Sequence, residues 1–179
     1  MSLSRSSISL LVLLLLYPSS CRVSSDLYSR CSSSVQYLIE YALSFVGTPY
    51  RWGGESPMDG FDCSGFVQEI LRSAGVDPIG DQTSQGLFEY FAKHGKPLSK
   101  DRPRPGSIVF YGSHINHITH VAFALDHFRV VEAAGGDHTT TSVDRAIAQQ
   151  AFIRIRPLKH RGDLIAVLHP DYSQIGISF

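Results

Sequence analysis

Two residues of this chain are suited by type to covalent acyl transfer, a cysteine at 63 and a histidine at 120. Cys63 lies in the run Phe61-Asp62-Cys63-Ser64-Gly65-Phe66, where a helix is expected to begin at or just after Asp62. A thiol attacks a carbonyl as the thiolate. The first turn of a helix favours that anion, because its N–H groups lack intrahelical partners and the helix dipole is positive there. The Cys63 N–H is also suited to binding the oxyanion of a tetrahedral intermediate. The small neighbours Ser64 and Gly65 are expected to leave room for a substrate carbonyl. Taken alone, the segment better fits a small buried hydrophobe, the common state of a lone cysteine.

A thiolate needs a partner that protonates the leaving amine, and imidazole does this near neutral pH. Of the eight histidines, His120 opens the apolar strand His120-Val121-Ala122-Phe123-Ala124-Leu125, and the following strand ends Val130-Val131-Glu132-Ala133. A three-residue hairpin closure sets Ala124 opposite Phe128 and therefore His120 opposite Glu132, with Cβ atoms about 5 Å apart on one face. Glu132 would then accept the second imidazole N–H and fix the ring's tautomer. A surface His–Glu pair is the structural alternative, and a one-residue slip in register would separate the two. His114 and His117 stand three residues apart, but no cysteine or carboxylate cluster beside them completes a zinc site, so no metal is expected. They are read as loop residues rimming the cleft. His94, His160 and His169 carry no motif.

The elements that must position these residues are read from periodicity. Val35, Leu38, Ile39, Ala42, Phe45 and Val46 recur at helical spacing, with Gly47 and Pro49 as the stop. Residues 49–61, rich in Gly, Pro and aromatics, form a structured loop. The second helix runs from about 62 to 73 with Phe66, Val67, Ile70 and Leu71 inward. The third starts near Thr83-Ser84, carries Leu87, Phe88 and Phe91, and stops at Gly95. Strands follow over 107–111, 119–125, 128–133, 151–157 and 164–168, with a polar histidine-bearing loop over 112–118 and a short helix over 143–149. Helices first, then antiparallel strands, predicts an α+β domain.

With 16 basic and 16 acidic residues among 179, no basic face points to nucleic acid. The N-terminus combines Arg5, an apolar run over 8–17 and the small residues Ser19 and Ser20 before Cys21, the pattern of a secretory signal. Ten apolar residues fall short of the about 20 needed to span a bilayer. Either Cys21 carries a lipid anchor, or the leader is cleaved without lipidation near Ser20 or Ser25; a Cys21 left unmodified in the mature chain is able to pair with Cys31 in an oxidising compartment. Three cysteines leave one over, which suits a reactive role for Cys63. The chain thus divides into a leader at 1–21, a serine-rich linker at 22–33, one domain at 34–172 and a tail at 173–179.

Gly47-Thr48-Pro49-Tyr50-Arg51-Trp52-Gly53-Gly54, Asp62-Cys63-Ser64-Gly65-Phe66, Pro105-Gly106-Ser107-Ile108-Val109-Phe110 and His120-Val121-Ala122-Phe123 together resemble the NlpC/P60 family of bacterial cell-wall cysteine peptidases. The resemblance covers about 35–158. It implies a papain-like α+β fold, with N-terminal helices packed on a small antiparallel sheet. It also implies Cys63 as nucleophile and His120 as base. Tyr50 falls where the family places an aromatic hydroxyl near the cysteine, and Asp62 and Ser64 flank the thiol as candidate substrate-binding residues. Tyr50 fits packing and substrate contact equally, whereas Trp52 is read chiefly as packing. The family's third polar residue, usually His, falls twelve positions after the base, where this chain has Glu132.

The resemblance implies cleavage of peptidoglycan stem peptides, often between D-γ-glutamyl and a diamino acid, with no cofactor. The expected protein is an exported monomer, in the periplasm, anchored to the outer membrane through a lipidated Cys21, or secreted. An amidase or acyltransferase with the same dyad is the rival within enzymes. A non-catalytic wall-binding protein of the same fold is the rival outside them, and has no need of Cys63 and His120.

Overall fold

The structure, a computed structural model, describes residues 33–173. The proposed leader with Cys21, the linker up to 32, with Cys31, and residues 174–179 lie outside the described residues. Helix α1 (Ser33–Ser44) buries Val35, Leu38 and Ala42, the inward positions of its 3.6-residue period. Val46 is 46% exposed, because the helix ends at Ser44 and Val46 falls in the turn beyond it.

The loop after α1 contains a two-stranded ribbon, β1 (Glu55–Ser56) with β2 (Gly60–Phe61), which leads directly into α2 (Cys63–Ser73). Phe66, Val67, Ile70 and Leu71 of α2 are fully buried. Helix α3 (Ser84–His94) begins at Thr83, whose side chain accepts from the Gly86 N–H, and ends at Gly95, a capping pattern that satisfies otherwise orphaned backbone groups.

The remaining strands are β3 (Lys96–Leu98), β4 (Ile108–His114), β5 (His117–Ala124), β6 (Arg129–Ala134), β7 (Phe152–Pro157) and β8 (Leu164–His169), with α4 (Val143–Gln149) between β6 and β7. They form one antiparallel sheet in the order β3-β8-β4-β5-β6-β7. The sheet is buried on both faces, because alternate residues of each central strand meet different layers. Val109, Tyr111, Ala122, Ala124, Val130 and Val167 form one cluster with Leu158, while Phe110 meets Phe88 of α3 edge-to-face at 5.4 Å. Helix α2 packs against β5 and β6, and α3 against β5. This is an α+β domain.

One expectation changes here, and one strand is added to those expected. The histidine-bearing segment after Tyr111 is a continuation of β4 and β5 rather than an open loop: Gly112 pairs with Ile118 and His114 with His117. Gly112 permits this, since a Cβ there would stand 2.2 Å from the His117 carbonyl oxygen. The short strand β3 carries no alternating pattern and contains Pro97, which is tolerated because β3 is an edge strand paired only with β8. Among the described residues no helix is long and apolar enough to cross a membrane.

Candidate active site

Cys63 is the first residue of α2, directly after its N-cap Asp62, and is partly exposed. Asp62 Oδ1 accepts the Gly65 N–H at 2.9 Å and the Ser64 hydroxyl at 3.0 Å, and Oδ2 accepts the Gly53 N–H at 3.0 Å. The Asp62 N–H donates to the Gly54 carbonyl at 2.9 Å. One carboxylate therefore caps the helix and ties the Trp52-Gly53-Gly54 turn to its tip.

The two small residues beside the thiol serve this closure. A Cβ on Gly65 would stand 2.2 Å from the Gly54 carbonyl oxygen, so the space expected for substrate at Gly65 is filled by backbone. Ser64 is 7% exposed and donates to Asp62. Both Asp62 and Ser64 are engaged in internal hydrogen bonds that orient the first turn of α2.

His120, 7% exposed, lies beside the Cys63 side chain, and its Nε2 donates to Glu132 Oε2 at 2.8 Å. With Nε2 so engaged, Nδ1 is the nitrogen left for the thiol. Burial disfavours the charged ring, but the hydrogen bonds and charges of Cys63 and Glu132 outweigh it and push the His120 pKa up to about 9. Glu132 is 1% exposed. Burial opposes its ionisation, yet its carboxyl is held below the usual range by the His120 hydrogen bond and by the charges of His120, His160 and Arg156.

The hairpin that brings His120 and Glu132 together differs from the expected one by two residues in register. Ala124 pairs with Val130 and Phe123 with Val131, so extending the ladder sets Glu132 opposite Ala122 rather than His120. The cause is Asp126, which is 6% exposed: its Oδ1 accepts the Phe128 and Arg129 N–H groups, both at 2.7 Å, and its Oδ2 pairs with the Arg129 guanidinium. This Asx-type turn moves the hairpin closure to Leu125 and Arg129. A two-residue shift preserves the face. His120 and Glu132 consequently meet diagonally, within reach of two long side chains.

Tyr50 is 5% exposed, and burial followed by the charges of Cys63, Asp62 and Asp137 holds its hydroxyl protonated, well above its ordinary pKa. The ring lies on Gly136, where a Cβ would come within 2.2 Å of it. Trp52, expected to serve packing, is instead 53% exposed, and its ring meets His138 edge-to-face at 6.3 Å. Its backbone N–H donates to the Thr140 carbonyl at 2.8 Å. His114 and His117 lie at the β4–β5 turn with rings 5.8 Å apart. Among the described residues no group of three or more His, Cys, Asp or Glu is arranged to hold a metal.

Sequence reading missed His160. It lies in the turn between β7 and β8, where no periodicity marks it, and its Nε2 stands 3.2 Å from Glu132 Oε1. Tyr111 separates the two imidazoles, with ring centroids 5.8 Å from His120 and 5.6 Å from His160.

A helix-borne cysteine beside a histidine on an antiparallel sheet defines a papain-like α+β domain. Residues 47–157 match the NlpC/P60 family, and the chain belongs to that family. Among curated proteins it is 35% identical over 96 residues to the bifunctional muramidase/DL-endopeptidase CwlT of Bacillus subtilis, covering 52% of this chain and 27% of that one. It is 29% identical over 115 residues to the probable peptidoglycan endopeptidase LytE of the same organism, covering 64% of this chain and 32% of that one. The chain thus spans about a quarter to a third of the length of these relatives. An NLP/P60-family lipoprotein-like structure from Staphylococcus aureus superposes with a TM-score of 0.57 at 27% identity, over 78% of this chain and 42% of that one. The NlpC/p60 domain of the peptidoglycan hydrolase SagA shares the fold, with a TM-score of 0.56 at 22% identity, over 75% and 97% of the two chains.

Proposed function

We propose that this protein is an exported cysteine peptidase that hydrolyses amide bonds in peptidoglycan stem peptides, with Cys63 as nucleophile and His120 as general acid and base. The observation that carries this reading is the His120 ring, set beside Cys63 and hydrogen-bonded to Glu132. An imidazolium beside the sulfur stabilises the thiolate. Attack on the scissile carbonyl forms the C–S bond, and the oxyanion is received at the N-terminus of α2, whose first-turn N–H groups, that of Cys63 among them, lack intrahelical acceptors. His120 gives its proton to the leaving amine as the C–N bond breaks. The neutral ring then takes a proton from water, whose oxygen attacks the thioester; the C–S bond breaks and the thiolate is restored beside the imidazolium. Glu132 orients the ring and balances its charge through both steps.

The D-γ-glutamyl-diamino acid bond is the proposed target. The family resemblance supports it, as do a DL-endopeptidase and a gamma-DL-glutamyl hydrolase of Bacillus subtilis among the relatives. Export rests on the signal-like residues 1–21, with anchoring through Cys21 where that residue is lipidated. Tyr50 is proposed to meet substrate through its hydroxyl, and Asp62 and Ser64 to shape the site from beneath the thiol.

Digestion of defined muropeptides by wild type and Cys63→Ala, followed by mass spectrometry, tests the reading. A new free amine at the diamino acid, lost in Cys63→Ala, is expected. Transfer of the acyl group to an added alcohol or amine without hydrolysis would favour the acyltransferase, and intact muropeptides with wild type would favour a wall-binding protein.

A further inference from the structure

Glu132 has two oxygens, and the dyad uses only one. Oε2 accepts from His120; Oε1 faces His160 Nε2 at 3.2 Å and Arg156 Nε at 3.9 Å. A carboxylate that is 1% exposed needs partners on both oxygens, because burying an unpaired charge costs far more than a pair does. Arg156 is 38% exposed and stands beyond hydrogen-bond distance, whereas the His160 side chain is 12% exposed and within it.

The ring of His160 is held for this contact. Its backbone N–H donates to the Pro157 carbonyl at 3.0 Å, and its Nδ1 faces the same oxygen at 2.9 Å. Nδ1 and Nε2 thus each face an oxygen, one on either side of the ring. Tyr111 packs against the ring edge-to-face, and its hydroxyl donates to the Leu158 carbonyl at 2.9 Å, which fixes the turn.

We propose that His160 is a positioning residue of the same site, donating from Nε2 to Glu132 Oε1 so that Oε2 stays aimed at His120. The proposal rests on the peptidase reading of Cys63 and His120. It extends the line Cys63–His120–Glu132 by one member, taken from a turn beyond the residues 47–157 that match the family. His160 acts through Glu132 and does not touch the sulfur-side nitrogen of His120.

The groups that share this field are few and named. Around Glu132 stand His120 on β5, Arg156 on β7 and His160, and the charges of Arg154 and Arg161 also reach it. Around His120 stand Cys63, Glu132 and the Tyr111 ring, with the charge of Asp163 beyond. Asp163 is itself paired with Arg161 at 2.6 Å. Arg161, Asp163 and Arg154 keep their partners when His160 is replaced, so the change falls on Glu132.

The test compares wild type, His160→Ala and His160→Gln in two assays: muropeptide hydrolysis, and the rate of Cys63 alkylation by iodoacetamide as a function of pH. Glutamine keeps a donor at the reach of Nε2. His160→Ala is expected to lower kcat by about tenfold, the effect of a lost charge-assisted hydrogen bond, with KM little changed. A less firmly held Glu132 stabilises the imidazolium less, so the alkaline limb should move down by about one pH unit in both assays. His160→Gln should recover most of both losses.

An unchanged pH profile in a slowed His160→Ala, or equal loss in His160→Gln, would mean a merely structural role and overturn the proposal. So would a His160→Ala that matches wild type. If the wild-type thiol alkylates with the single ionisation of an ordinary cysteine, the peptidase reading itself fails, and the two failures are thereby told apart.

Discussion

His120 Nε2 and Glu132 Oε2 stand 2.8 Å apart in a setting where the carboxylate is 1% exposed and the imidazole 7%. An ion pair this enclosed is screened little by salt or water. Each partner therefore governs the protonation of the other, and the consequences are measurable in catalysis and in stability.

Replacing the charge while keeping the shape isolates that coupling. Glu132→Gln leaves an amide oxygen able to accept the His120 N–H but no countercharge for the imidazolium. We expect kcat on muropeptides to fall roughly 10- to 100-fold and the alkaline limb of the rate profile to move below the wild-type position near pH 9. Activity within twofold of wild type, with an unmoved limb, would leave Cys63 and His120 acting as a dyad.

The same pair makes fold stability depend on pH. The His120 pKa is raised from 6.5 to about 9, against the burial that lowers it, by Cys63 and Glu132. A raised value in the folded state means the stabilisation is complete below about 6.5 and is lost as pH rises through about 9. Thermal unfolding between pH 6 and 10 should show that decline. In Cys63→Ser, which removes the sulfur beside the ring, the decline should begin at lower pH. A midpoint flat across this range would contradict the raised value.

Asp62 offers a separation of structure from substrate contact. Its two oxygens serve the Gly65 and Gly53 amides from opposite sides, and asparagine can accept at only one of them. Asp62→Asn should therefore destabilise the domain by about 1 kcal/mol, the usual worth of a helix cap, read as a lowered urea midpoint. A raised KM at unchanged stability would instead mark direct substrate binding.

Tyr50→Phe keeps the ring on Gly136 and removes only the hydroxyl in the field of Cys63. Thermal stability should stay close to wild type, while kcat/KM falls about tenfold, the order expected for one lost hydrogen bond to a reacting substrate. Full activity in this variant would reduce Tyr50 to a packing residue.

Much of this domain is local physics. The limits of α2 and α3 follow from a capping side chain and a 3.6-residue stripe, and both act within a few residues. The shared face of His120 and Glu132 follows from the period of two, and so it survives the two-residue register shift that Asp126 imposes. The cysteine at the tip of α2 was legible for the same reason.

Tertiary structure decided what no local period encodes. The strand order β3-β8-β4-β5-β6-β7 brings the last strand between the third and the fourth. Gly65 reads locally as open space, and only the arrival of the Gly54 carbonyl shows that the space is filled. Trp52 reads as core, but the turn it belongs to is pulled onto Asp62 and Thr140 by its backbone, which leaves the indole outside. His160, forty residues beyond His120 in a turn of its own, reaches Glu132 because β6 and β7 pair side by side and the turn after Pro157 folds back over Tyr111. Sequence supplies the reactive groups and the faces they occupy; long-range strand pairing sets the distances between them, because each ladder partner is chosen across a gap that no neighbour-to-neighbour interaction spans.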